Sequence, residues 1–195
     1  MKQMIKLSVT LAVYTVVACL ALAAVNMLTF PYIQQAKEAK TQKALKALFP
    51  DADSFRPITE GLPQSVNKVT FGNAYTAFQG EKPVGVIVTV TGRTYAQATI
   101  LAGIDVTGNL VMIQFLTFTD SPGIGLKAAE EPFIGQFRNK PISDSFALGN
   151  DIQAITGATI TSTAVTRIVK IAVDAVSAYM SEQGFSGANG TTGQN

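Results

Sequence analysis

The chain has 195 residues, enough for one ordinary domain with an appendage; 47% of them are apolar, and much of the excess over an ordinary composition sits in the first thirty residues. The formal net charge is +2, and no basic cluster is interleaved with aromatics, which argues against a nucleic-acid partner. Histidine is absent and the one cysteine, Cys19, lies inside the apolar stretch, so His- or Cys-ligated zinc, iron–sulfur clusters, His- or Cys-ligated haem and histidine-based nucleophilic systems lack their residues. No metal ligand and no catalytic residue is assigned, and any redox chemistry must use an organic cofactor or a carboxylate-bound metal.

Residues 7–30 carry no charge. As a helix they span about 36 Å, more than the hydrocarbon core of about 30 Å, so residues 1–30 read as a tail and a single transmembrane helix. Two secretion signals compete. A cleavable signal peptide has Ala21-Leu22-Ala23 as a passable site, but its apolar region is only about 7–15 residues long. Val16-Val17-Ala18-Cys19 resembles a lipobox, yet the chain stays apolar after it. Lys2 and Lys6 flank one side, and Lys37, Lys40, Lys43 and Lys46 the other. The positive-inside rule alone would therefore keep the domain in the cytoplasm.

Pro31 opens a second helical stretch, residues 31–50, with Ile33, Ala36, Leu45, Leu48 and Phe49 apolar and Pro50-Asp51 as its stop. It reads as a solvated juxtamembrane linker. Residues 51–182 form the domain. Strands are predicted over 69–71, 75–78 and 84–90, parted by Gly72-Asn73 and by residues 80–83. Residues 99–106 and 110–118 flank Thr107-Gly108-Asn109 and predict a hairpin. After a loop over 120–127, residues 128–137 predict a short helix with Phe133, Ile134 and Phe137 on one buried face. The apolar spacing over 161–180 predicts the longest helix of the domain, and the Gly- and Thr-rich tail over 183–195 predicts disorder. Strands first and helices at the ends, without βαβ alternation, give an α+β fold with a mainly antiparallel sheet.

Two segments bear on chemistry. Residues 123–128 formally fit the G-x-G-x-x-A dinucleotide fingerprint, but Pro132 arrives too soon for the helix it requires and no βα repeat follows. The turn from Ser121 to Gly125 reads either as a tight connection or as a place where glycines let a backbone approach a ligand. Thr156-Gly157-Ala158-Thr159 follows an apolar, strand-like stretch at 152–155 and precedes the long helix. Its small residues leave room beside Thr159, and the helix start offers N–H groups to an anion such as a phosphate. Thr161, Ser162 or Thr163 capping that helix is the plainer reading, and the two are compatible.

These residues resemble the flavin-bearing subunits RnfG and NqrC of ion-translocating respiratory complexes, which share an FMN-binding domain. The resemblance covers nearly the whole chain: the membrane helix, the hairpin leading into a T-P-G-L-G-like loop (here Ser121-Pro122-Gly123-Ile124-Gly125), and the flavinylation motif D-x-x-S/T-G-A-T. That motif here reads Gln153-Ala154-Ile155-Thr156-Gly157-Ala158-Thr159, with Gln153 in place of the aspartate and Asp151 out of register.

The resemblance implies one FMN per chain, joined covalently to Thr159 by a phosphodiester that a magnesium-dependent flavin transferase makes from FAD. It also implies a pocket formed by Thr156, Gly157 and Ala158 together with Ser121, Gly123, Ile124, Gly125 and Leu126. The chain length is nearer to RnfG. That implies an electron carrier, not a complete enzyme alone, in a complex coupling ferredoxin and NAD to sodium or proton movement. Its partners would be the other subunits and the lipid bilayer, with the domain on the periplasmic side of the cytoplasmic membrane, against the lysine count. The alternatives are an NqrC-like subunit of a sodium-translocating NADH:quinone oxidoreductase, and a flavin-free tethered binding or assembly module.

Overall fold

The computed structural model describes residues 2–120, 123 and 125–185. It divides into two units, Met1–Gln42 and Lys43–Asn195. Helix α1 (Lys2–Leu48) makes up the described part of the first unit, and its last turns belong to the second. The described large apolar side chains of the first unit are exposed, Met27 to 78%, and the helix is long and apolar enough to cross a membrane. Two helices parted at Pro31 are not seen, because α1 runs through that residue. Proline there removes one backbone donor, but an apolar helix has no other partners for its remaining backbone groups and keeps its own bonds.

The second unit is built on a seven-stranded antiparallel sheet. Its strands are β1 (Ser54–Ile58), β2 (Ser65–Val66), β3 (Val69–Gln79), β4 (Lys82–Gly92), β5 (Ala98–Asp105), β6 (Asn109–Phe118) and β7 (Lys140–Pro141). The spatial order is β1-β3-β4-β5-β6-β7, with β2 pairing β3. Gly72-Asn73, expected as a turn, is instead a register shift inside the single strand β3. The β5–β6 turn forms where it was expected. Gly108 takes φ 84°, and the Asp105 carboxylate accepts the N–H groups of Thr107 and Asn109 at 2.9 Å.

Side-chain alternation gives the sheet two buried faces. Val86, Val88 and Val90 of β4 with Ile100 and Ile104 of β5 share a core with Val165, Ile168, Val169, Ala172 and Val176 of helix α3 (Thr159–Glu182). Ala77, Ile87 and Leu101 point the other way, onto Leu45, Leu48 and Phe49. A Cβ on Gly85 would stand 2.3 Å from Phe49 Cζ, and one on Gly103 2.6 Å from Leu48 Cδ2, so bare backbone at both positions admits these side chains. Ala44, Leu45, Leu48 and Phe49, read from the sequence as part of the end of a solvated linker, are therefore core.

Between β6 and β7 run a 3₁₀ turn (Gly125–Ala129), the one-turn helix α2 (Glu131–Ile134) and a second 3₁₀ turn (Gly135–Phe137). The short helix expected over 128–137 is broken into these pieces, with Pro132 in the first turn of α2. Phe133 and Phe137 are buried, their centroids 5.5 Å apart edge to face, whereas Ile134 is only half-buried. Residues 152–155 are not a strand; Ile152 alone bridges Leu148. Helix α3 ends in a glycine cap: Gly184 takes φ 74°, and Phe185 N–H donates to Met180 O at 3.0 Å. Residues 183–185 of the expected disordered tail thus form the cap, and 186–195 lie outside the described residues.

Candidate functional site

Helix α3 begins at Thr159. Its N-cap is Ala158, which supplies no side-chain cap, and Gly157 before it takes φ 81°, a conformation that favours glycine. Of the expected caps, each hydroxyl is used otherwise. Ser162 Oγ accepts the Ile155 N–H and donates to Ala158 O, both at 3.0 Å, folding the motif against the first turn. Thr161 Oγ1 donates to Asp120 Oδ2 at 2.8 Å, and Thr163 Oγ1 to Thr159 O at 2.7 Å. The first intrahelical bond runs from Ser162 N–H to Ala158 O, so the N–H groups of Thr159, Ile160 and Thr161 have no acceptor within the helix.

In front of them lies a cavity of about 400 Å³, lined by Tyr95, Gly125, Gly157, Ala158, Thr159, Ile160 and Thr161. The sequence-predicted Gly125, Gly157, Ala158 and Thr159 are thus brought together from segments more than thirty residues apart. Thr156, Gly123 and Leu126 are outside this lining, although Leu126 keeps an exposed apolar side chain. Ser121 and Ile124 lie outside the described residues.

Three residues escaped the sequence reading as site residues. Tyr95 and Ile160 are 64% and 67% exposed, unusual for large apolar side chains, and both border the cavity. Asp120 is 3% exposed behind its wall. Its carboxylate accepts Thr94 Oγ1, the N–H groups of Tyr95 (3.3 Å) and Ala96 (2.9 Å), and Thr161 Oγ1. Burial pushes the carboxyl pKa up, but these four donors outweigh it and hold the group below its ordinary value. Gly125 is tied to the same residue, since a Cβ there would stand 2.9 Å from Asp120 Cβ. The only cue in the sequence was an acid placed directly before the Ser-Pro-Gly turn.

A second carboxylate secures the approach to the motif. Asp151 accepts the N–H groups of Phe146 (2.9 Å) and Ala147 (2.7 Å) and pairs with Lys140 at 3.1 Å. Burial opposes its ionisation, and these partners nonetheless hold it well below the usual carboxylate range. At the position where the motif departs from its family, Gln153 N–H donates to Gln136 Oε1 at 2.7 Å, and Gln136 Nε2 donates to Gln153 O at 3.3 Å. That backbone clamp does not depend on the side chain at 153, which is exposed.

The arrangement fits a flavin mononucleotide. The N–H groups at the start of α3, which have no acceptor within the helix, suit a phosphate. No acid stands among the described lining residues, and the charge of Asp120 is already satisfied by four donors. The exposed ring of Tyr95 and the aliphatic side chain of Ile160 offer apolar contact to a flat heterocycle.

Fold and site together define a flavin-binding domain behind an apolar N-terminal helix. Residues 81–174 match the FMN-binding domain family, and residues 1–48 match the RnfG N-terminal region. The chain is 31% identical to a subunit of the proton-translocating ferredoxin:NAD(+) oxidoreductase complex of Clostridium ljungdahlii, covering 81% of this chain and 83% of that one. It is 30% identical to the corresponding subunit of the ion-translocating oxidoreductase complex of Methanosarcina acetivorans, over 91% and 96% of the two chains. Against its counterpart in the Na(+)-translocating ferredoxin:NAD(+) oxidoreductase complex of Acetobacterium woodii it is 28% identical, over 88% and 91%. The crystal structure of Shewanella oneidensis NqrC shares the fold, with a TM-score of 0.50 at 14% identity over 71% of this chain and 74% of that one. The chain belongs to the RnfG family of subunits of ion-translocating oxidoreductase complexes.

Proposed function

We propose that this chain is an electron-transfer subunit of an Rnf-type membrane complex and carries one FMN joined through its phosphate to the Thr159 hydroxyl. The observation that carries the reading is that family and geometry meet at one residue. Thr159 is the exposed first residue of α3, on the wall of the cavity, inside the segment that matches the FMN-binding family. Relatives that are subunits of ferredoxin:NAD(+) oxidoreductase complexes support membership of such an assembly, whose other subunits are then the partners.

A threonine hydroxyl is a weak nucleophile near neutral pH, and the chain has no histidine to take its proton. Attachment therefore falls to a separate flavin transferase with FAD as donor. The new bond joins Thr159 Oγ1 to the flavin-side phosphorus, the pyrophosphate bond breaks, AMP leaves, and the hydroxyl proton passes to a base of the transferase. Bound FMN supplies reversible electron transfer. This chain's part is to hold it: Ile160 and Thr161 offer N–H groups to the phosphate, Gly125 leaves room, and Tyr95 and Ile160 give apolar support. Thr159 is an anchor, and α1 tethers the domain on the extracytoplasmic side of the membrane.

The test uses protein matured in its own host. The denatured wild-type band is expected to fluoresce on a gel, with an intact mass exceeding that of the polypeptide by one FMN phosphoryl group, and Thr159→Ala is expected to be dark. Because Thr159 is exposed, that substitution should leave stability within about 0.5 kcal/mol. A dark wild-type band from cells that make the transferase would overturn the reading in favour of a flavin-free module.

A further inference from the structure

A second concave surface runs along α3, starting one turn beyond Thr159. This groove, of about 810 Å³, is walled on one side by Thr163, Thr166, Arg167 and Lys170. On the other side stand the Asn67-Lys68 turn and residues 146–148.

Three independent features converge there. The first is backbone strain. Among the described residues four non-glycines have a left-handed backbone, and three of them, Asn67 (φ 48°), Lys68 (φ 65°) and Phe146 (φ 47°), border this groove. Lys68 is the second residue of the two-residue turn between β2 and β3, where glycine is the favoured choice, and a bulky aromatic such as Phe146 rarely adopts positive φ. Strain kept at one place points to function.

The second feature is charge. Lys68, Arg167 and Lys170 meet one acid, Asp174, which is already bound to Lys170 at 2.7 Å. Lys68 makes no ion pair among the described residues, and Arg167 Nη2 reaches only the Arg93 carbonyl at 3.5 Å. The third is Thr166, 3% exposed, whose Oγ1 has no hydrogen-bond partner among the described residues. Between the cations the lining is apolar, from Phe146, Leu148 and Ile171.

The geometry points to a docking groove for an acidic segment of a neighbouring protein subunit, its carboxylates meeting Lys68 and Arg167 and its apolar side chains lying on Phe146 and Ile171. A free phosphate is too small to use the apolar lining, and a lipid surface is too flat to enter a groove. The inference rests on the chain being one subunit of a complex and adds the face by which it is held. That face adjoins the flavin anchor, since Thr163 both lines the groove and bonds the Thr159 carbonyl.

The purified membrane complex provides the test. A zero-length carbodiimide is expected to couple Lys68 to a carboxylate of another subunit, read by mass spectrometry. Lys68→Gly removes the charge but suits the turn, so the melting temperature of the chain should rise while the salt concentration that releases it from the complex falls. Lys68→Glu combined with Arg167→Glu should weaken association about tenfold or more. In both variants the Thr159 band is expected to remain fluorescent. Lys68 coupling to no other subunit, or the double variant resisting salt like the wild type, would overturn the groove. So would a phosphate or lipid recovered from it. A dark but still cross-linked chain would sink the flavin reading alone.

Discussion

Asp120 gathers four hydrogen bonds from two stretches of chain, Thr94 to Ala96 before β5 and Thr161 in α3, so one carboxylate fixes two sides of the cavity. All four partners are donors. An asparagine there would turn an NH2 group toward N–H and O–H groups, and Asp120→Asn is expected to cost about 1–3 kcal/mol. Asp120 and Asp151 both have folded pKa values below the ordinary 3.8. Their contribution to stability is therefore complete above the unfolded value and lost as pH falls below about 4. Thermal unfolding followed from neutral pH down to about 3 should show a steep acid loss in the wild type, shallower in Asp120→Asn and Asp151→Asn. An equal acid slope in all three proteins would remove both carboxylates from the account. The sequence could not reveal Asp120, because its partners lie 24 to 41 residues away and are mostly backbone and hydroxyl groups. The place of Thr159 at the mouth of a helix was legible because its surroundings are local: glycine and alanine directly before it and an apolar helical period after it.

Among the elements, β4 to β6 were legible, and β3 in two pieces, because runs of β-branched residues bounded by turn residues are long enough to show a strand. Strand β1 was not, since Pro57 interrupts a five-residue run, and its position at the sheet edge is where proline is tolerated. The end of α1 was misjudged for a different reason. Leu45, Leu48 and Phe49 gave a correct apolar stripe, but nothing local said that Gly85 and Gly103 leave a hollow to receive it. A chain truncated to begin at Lys43 retains this packing and is expected to fold as a soluble domain. One that begins at Asp51 loses the buried Ala44 and three large buried side chains, each of the three contributing about 1.5–3 kcal/mol, and exposes Ile87 and Leu101. Its urea midpoint should fall sharply, or the chain should aggregate. Equal midpoints for the two truncations would show that residues 43–50 are the linker they resemble in sequence.

For the whole molecule, two physical arguments disagree about the side of the membrane. Lysines at 37, 40, 43 and 46 follow the apolar stretch, whereas Lys2 and Lys6 precede it, so a count of charges would retain the domain inside the cell. Long domains translocate largely regardless of charge, so the proposed extracytoplasmic placement can stand against that count. The chain offers a clean way to decide. Cys19 is the one cysteine and lies in the apolar segment, so Cys19→Ser leaves a background without thiols. Glu81 is exposed at the β3–β4 turn, away from both the cavity and the groove, and accepts a cysteine without disturbing the core. In intact cells, with any outer membrane first opened, a membrane-impermeant maleimide should label Cys19→Ser/Glu81→Cys before lysis as fully as after it. Labelling only after lysis would place the domain with the lysines, in the cytoplasm. A Thr159 band that stayed fluorescent in those cells would then require a transferase acting inside.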